Sequence, residues 1–258
     1  MNFPLFPAKH DLAAIVTAKD ILDFRRRLGR MPAIEPPEAV LFCLQRGLPE
    51  RLRRRIRLRH AGRLMGDLYL VRRTGGRVAV MTNIGIGAPS LVSLAEELIA
   101  FGAQRLVSVV WGGGLQPDLN PGDIVICDRA LRDEGVSHHY LPSQKFVAAS
   151  PVLVERLAGA LREQGKPFQT GATWTTDAPY RETVEEVELY RAEGISTVEM
   201  EIAGLLALAQ ARGVDAASVV VVGDSLAGAN WQPPQDVKVI ERSLEAVYAA
   251  AIDALDQR

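Results

Sequence analysis

The chain has 258 residues, a formal net charge of -1, 48% hydrophobic residues and 24% charged residues. That balance excludes wholesale disorder and provides for a large core, while near-neutrality gives no long-range attraction to nucleic acid or acidic membranes. The two cysteines, Cys43 and Cys127, have no metal-ligand spacing and cannot build a disulfide framework, so no metal site is expected and a reducing, cytoplasmic setting is.

Residues 1–38 are punctuated by Pro4, Pro7, Pro32, Pro36 and Pro37 and read as an arm over the body, with a short helix near 19–28. Residues 1–10 contain no apolar core of the signal-peptide kind, and no apolar run in the chain reaches spanning length. A strand is predicted at 39–44 and an arginine-crowded helix at 48–62. Two strands, 68–72 and 77–82, flank Thr74-Gly75-Gly76 as a hairpin. A glycine-rich turn at 83–90 leads to a helix at 91–101 that Gly102 stops. Short apolar strands follow at 106–110 and 124–128, then a helix at 151–164, a strand at 169–175 and an acidic helix at 184–193. An apolar helix at 202–212, a strand at 219–222 and an alanine-rich helix at 244–255 complete the pattern. Strands alternating with helices imply an α/β sheet covered on both faces, and residues 39–258 read as one domain.

Two acidic motifs carry the chemistry. Val198-Glu199-Met200-Glu201 places two carboxylates where an apolar helix begins, and the β-branched run Val219-Val220-Val221-Val222 ends in Gly223-Asp224-Ser225. Carboxylates held by buried elements can grip sugar hydroxyls and lend a proton to a leaving group. Two glycine motifs sit at strand ends, where open α/β sheets bind ligands. Gly85-Ile86-Gly87-Ala88-Pro89-Ser90 suits either an anion at a helix N-terminus or a plain tight turn. Trp111-Gly112-Gly113-Gly114-Leu115-Gln116-Pro117 exposes backbone after its strand. The pair His138-His139 reads as surface or contact residues, and the arginines from Arg53 to Arg63 as a solvated or intersubunit face without the interleaved aromatics of a nucleic-acid site.

Together with Pro121-Gly122-Asp123 and Arg132-Asp133-Glu134-Gly135, these motifs run in an order that resembles the nucleoside phosphorylase family, which includes uridine phosphorylase and the hexameric purine nucleoside phosphorylases. The resemblance covers roughly residues 78–230. It implies a three-layer α/β/α sandwich around a mixed, partly closed central sheet. It also implies a homo-oligomer, a dimer or trimer of dimers, and phosphorolysis of a nucleoside N-glycosidic bond with no cofactor besides inorganic phosphate as co-substrate. By the same resemblance, Met200 and Glu201, with Glu199 beside them, hold the ribose. Asp224 protonates or hydrogen-bonds N7 of a departing purine, with strand-end burial keeping a proton available near neutrality. Residues 174–183 align with the family's base-pocket loop, and Gly112, Gly113, Trp174, Tyr180 and Arg181 line the base.

The phosphate half departs from the family. The family's N-terminal phosphate loop aligns with 42–47, where only Arg46 is a substitute. A phosphate-binding arginine and hydroxyl align with Ser108 and Trp111. Candidates for a third arginine, one that the neighbouring subunit lends in the family, are Arg72 and Arg73, and Gly85 remains as an anion-contacting backbone. Loss of a bidentate cation weakens dianion binding by several kcal/mol. Two alternatives therefore stand beside phosphorolysis: a nucleoside hydrolase or other chemistry on a nucleoside-like substrate, and a non-catalytic nucleoside-binding protein.

Overall fold

The computed structural model describes residues 6–44, 53, 55–228 and 230–257. Ten strands and six helices are named among them: α1 Ala18–Arg27, β1 Ala39–Cys43, β2 Leu58–Arg63, β3 Asp67–Val71, β4 Val78–Thr82, α2 Ala88–Phe101, β5 Arg105–Gly114, β6 Ile124–Asp133, β7 Phe146–Ala148, α3 Pro151–Glu163, β8 Gln169–Thr176, α4 Val184–Ala192, β9 Ile195–Glu199, α5 Ile202–Arg212, β10 Asp215–Ser225 and α6 Val237–Asp256.

The strands form one mixed sheet in the order β10-β6-β8-β9-β5-β1-β4-β3-β2, with β7 beside β6. Strand β10 also pairs with β5, so five strands close on themselves while β1-β4-β3-β2 extends as an open wing. Closure depends on the length of β5. Residues 105–109 pair in parallel with β1, the whole strand pairs in parallel with β10, and Gly113 and Gly114 pair antiparallel with β9. Helix α6 packs with α3 and crosses β1, β5 and β10, while α5 packs with α2 and covers β6, β8 and β10. The result is the three-layer, partly closed architecture that the resemblance implies. Strands β1 and β4 are buried at every position, as a sheet covered on both faces requires.

Several elements differ from their predicted extents. Residues 58–63 form edge strand β2, not the end of a helix, and residues 48–52 and 54 of that predicted helix lie outside the described residues. Arg59 and Arg63 stand exposed along β2, a charge pattern that discourages edge-to-edge pairing. The glycine run 112–114 is the end of β5 and not a loop. The N-terminal arm is tied down: α1 starts from a Thr17–Asp20 capping box and buries Leu22. Its Arg25 meets Glu97 on α2 with Nη1–Oε2 at 2.9 Å and Nη2–Oε1 at 3.0 Å. Among the described residues, no helix is long and apolar enough to cross a membrane.

Candidate active site

The glycines at the end of β5 decide where the acidic motifs meet. A Cβ on Gly112 would lie 2.5 Å from the Val198 carbonyl oxygen and 2.9 Å from Val220 Cγ1. A Cβ on Gly113 would lie 2.3 Å from Leu226 Cδ1, 3.1 Å from Asp224 Oδ1 and 3.1 Å from Val198 Cγ1. Only with hydrogen at both positions can β9 and β10 close on β5 from either side, and so bring Glu199-Met200-Glu201 and Asp224 to one end of the sheet.

The two glutamates then divide their work. Glu199 Oε2 accepts the Glu201 and Ile202 N–H groups at 2.6 and 2.7 Å, capping α5. Its Oε1 accepts the Thr175 hydroxyl at 2.5 Å, and Thr175 Oγ1 itself accepts Ala203 N–H. At 4% exposure, with both oxygens engaged by protein, Glu199 is structural; the ribose contact expected of it is corrected. Glu201 Oε1 accepts the Gly87 N–H at 2.7 Å, and among the described residues Oε2 has only the long 3.3 Å bond from Met200 N–H. The glycine-rich turn thus aims Glu201, and one carboxylate oxygen keeps lone pairs for a ligand beside half-buried Met200. Burial and the neighbouring Glu201 push the Glu199 carboxyl up to about 8, and burial also raises Glu201 against its bonds from Gly87 and Met200. Across the glycine seam, Asp224 Oδ2 accepts Trp231 Nε1–H at 2.7 Å.

The profile of the Phosphorylase superfamily matches residues 42–255. The chain belongs to the Phosphorylase superfamily. Among its relatives, "Purine nucleoside phosphorylase DeoD-type" from Caldanaerobacter subterraneus subsp. tengcongensis is 35% identical over 154 residues, covering 59% of this chain and 66% of that one. The protein of the same name from Bacillus cytotoxicus is 33% identical, covering 59% and 65%. The chain thus spans just under two thirds of the length of these curated relatives. Two solved structures share the fold. The purine nucleoside phosphorylase from Toxoplasma gondii in complex with immucillin-H superposes with TM-score 0.74 at 21% identity, over 86% of this chain and 92% of that one. Uridine phosphorylase from Vibrio fischeri ES114 superposes with TM-score 0.69 at 25% identity, over 87% and 92%.

For this Phosphorylase superfamily chain the remaining predicted site residues scatter. Ser108 is fully buried, and its hydroxyl meets that of Ser218 at 2.6 Å inside the β5–β10 pair. Trp111 is 37% exposed and lays its indole on Gly223, where a Cβ would fall 1.0 Å from Nε1. Trp174 is 1% exposed, donates to Asp133 Oδ2 at 2.9 Å and packs edge-on to Tyr190 at 4.8 Å. It is a core residue, and its expected base contact is corrected, because β8 turns that side chain into the small cluster with Leu115 and Val198. Tyr180 is 98% exposed and Arg181 is exposed beside it on the turn after β8. Gly85 is exposed, next to Gly87. Arg72 and Arg73 precede β4, roughly 17 Å of strand from the turn at its other end. Arg73 is held there by Asp253. Arg46 lies outside the described residues.

The Arg132-Asp133-Glu134-Gly135 motif proves to be a loop clasp. Arg132 donates to Ser137 Oγ at 2.9 Å and to the Pro142 carbonyl at 2.7 Å, and Glu134 accepts Val136 and Ser137 N–H groups. The clasp holds His139 where Lys9 Nζ reaches its Nδ1 at 3.0 Å. Three residues at the site carried no separate signal in the sequence. Thr175 acts through Glu199, 24 positions away, and Trp231 through Asp224, 7 positions away, and Glu182, although inside the predicted base loop, is marked only by its neighbours. Burial, then Asp224, then Glu186 push Glu182 up to about 7.

The buried pair has a consequence for stability. The Glu199 carboxyl ordinarily titrates near 4.5, but in the fold it holds its proton to about 8. The native state therefore binds more protons than the unfolded chain across that window. This contribution is complete below 4.5 and is lost as pH rises toward 8. Thermal melts between those limits are expected to show a steeper decline for the native chain than for Glu201→Gln, which removes the neighbouring charge. Parallel slopes would dissolve the pairing.

Proposed function

We propose that the chain cleaves the N-glycosidic bond of a nucleoside, a purine nucleoside in the first instance, and transfers the pentosyl group to inorganic phosphate. The observation that carries this reading is the convergence of Met200, Glu201 and Asp224 across the Gly112–Gly113 seam. A pentose seated on Met200 would place its hydroxyls toward the free Glu201 oxygen, and those hydrogen bonds strengthen as the sugar gains oxocarbenium character. Asp224 on the far side of the seam faces the departing base. The relatives named as purine nucleoside phosphorylases support the same substrate class. The reading brings with it a cytoplasmic homo-oligomer, a dimer or trimer of dimers; Ile86 and Tyr180, 67% and 98% exposed on turns at this end of the sheet, are the residues it would cover.

A second reading, cleavage by water, is favoured by one specific observation. The two positions aligned with family phosphate ligands hold a sealed Ser108–Ser218 pair and an indole lying on Gly223. The deciding experiment measures base release from a panel of purine and pyrimidine nucleosides with and without phosphate. Phosphate-dependent release supports phosphorolysis, and equal release without phosphate supports hydrolysis. Ligand-induced melting shifts with no turnover would make the chain a binding protein. Replacing Trp111 by Thr is expected to tighten phosphate binding, read by calorimetry; unchanged affinity would place the anion elsewhere.

A further inference from the structure

Trp231 stands on the turn that follows β10, 63% exposed, yet its ring nitrogen is committed: Nε1–H donates to Asp224 Oδ2 at 2.7 Å. The foot of that turn is fastened to its surroundings. Ser225 and Gln232 exchange backbone bonds at 3.0 and 2.9 Å, and Leu226 N–H donates to the Gly114 carbonyl at 2.8 Å. Arg191 Nη1, from helix α4, donates to the Ala227 carbonyl at 2.6 Å. Leu226 also packs against the small cluster that holds Leu115, Val187 and Val198. An anchored turn therefore presents the indole to Asp224.

That bond sets the position of the other carboxyl oxygen. The terminal torsion of an aspartate is broad, so an unheld carboxyl turns easily. With Oδ2 held by Trp231, Oδ1 comes within 3.1 Å of the point where a Gly113 Cβ would stand, over the glycine seam. Among the described residues, Trp231 is the one hydrogen-bond donor to this carboxyl, so Oδ1 is the atom left for a ligand. A second indole lies next to it. The N–H edge of Trp111 rests on Gly223, so the two indole edges meet consecutive residues, 223 and 224. Flat apolar rings beside one available carboxyl oxygen suit a planar nitrogen heterocycle, which gains ring contact and a hydrogen bond together. The aromatic residues expected in that role are elsewhere: Trp174 is in the core and Tyr180 stands free on the turn after β8.

We infer that Trp231 selects the base: its N–H positions Asp224, and its ring forms the wall against which a purine lies. This rests on the nucleoside-cleavage reading and deepens it. A bicyclic purine covers more of an indole than a monocyclic pyrimidine does, so the wall favours the purine by buried area. The two parts of the side chain have separable effects. Without the N–H the carboxyl turns and cleavage slows; without the ring the base binds more weakly.

The test uses the full chain. Labelled with 5-fluorotryptophan, its three tryptophans give fluorine signals that Phe replacement at each position assigns. Adenine is expected to shift the Trp231 signal saturably and to leave that of Trp174 in place. By calorimetry, Trp231→Ala should weaken adenine about tenfold and uracil at most about threefold, and Trp231→Phe should recover most of the adenine affinity. With adenosine and phosphate, Trp231→Phe should lower kcat about tenfold at nearly unchanged KM, whereas Trp231→Ala should lower kcat as much and also raise KM. Adenine binding that leaves the Trp231 signal unmoved overturns the inference, as does a chain that binds neither base. Equal losses for adenine and uracil in Trp231→Ala overturn it too. So does a Trp231→Ala protein that changes its assembly mass but keeps its adenine affinity, which would make the indole an intersubunit contact. A chain that binds adenine against Trp231 but releases no base from adenosine keeps the wall and loses the cleavage reading. A chain that cleaves adenosine equally well in every Trp231 variant keeps the cleavage reading and loses the wall.

Discussion

Replacing Glu201 by Gln is expected to lower kcat/KM for a ribonucleoside by roughly a hundredfold, about 2.7 kcal/mol, while a 2′,3′-dideoxy analogue loses almost nothing further. The reason lies in the division of hydrogen bonds. Among the described residues, one Glu201 oxygen is committed to Gly87 N–H at 2.7 Å and the other has only a 3.3 Å contact from Met200 N–H. A Gln carbonyl oxygen can keep the Gly87 bond, so the turn and the helix start survive. The amide nitrogen then presents donors where the sugar hydroxyls need an acceptor. Steady-state kinetics on the two substrates form a cycle between enzyme and hydroxyl. Equal losses on both would mean that Glu201 serves only the turn.

Gly223→Ala is expected to cost about 2–3 kcal/mol of stability, a melting decrease of roughly 5–10 °C. The added methyl would fall 1.0 Å from Trp111 Nε1, 1.8 Å from Cδ1 and 2.1 Å from Cε2, so either the indole leaves its seat or β10 moves off β5. The same alanine introduced into a Trp111→Ala background should cost almost nothing more, because the obstacle is gone. Thermal melts of the four proteins read the coupling directly. Additive losses would show that Gly223 is required by backbone pairing next to the bulge at Val222/Asp224 and not by the indole. The outcome also bears on the nucleophile, since this indole lies where the family alignment expects a phosphate-binding hydroxyl.

What could be read in advance follows the range of the forces involved. Residues 91–101 and 202–212 announce themselves because their apolar faces and the stops at Gly102 and Gly213 are local. Residues 58–63 mislead because a run of arginines satisfies helix propensity as well as an exposed edge strand, and only pairing with β3 decides between them. Strand β9 escapes because Ile195–Glu199 is too short for its period to show beside a helix start. Trp174 and Tyr180 sit in one predicted base loop, yet one is 1% exposed and the other 98%. Strand alternation and the end of β8 separate them, and no local composition does.

The chain's own letters determined the α/β class, the order of the motifs, and the carboxylates and glycines on which a nucleoside site would be built, because those depend on periodicity and on residue chemistry that act over a few positions. The tertiary structure alone decided which glutamate is a helix cap and which remains free, that Trp111 lies on Gly223, that Ser108 is sealed against Ser218, and that Trp231 donates to Asp224. The Gly87–Glu201, Trp111–Gly223 and Ser108–Ser218 contacts join segments distant in sequence and form only when the sheet closes. Hydrogen-bond partners and local dielectric are properties of that closure, and no window of sequence contains them.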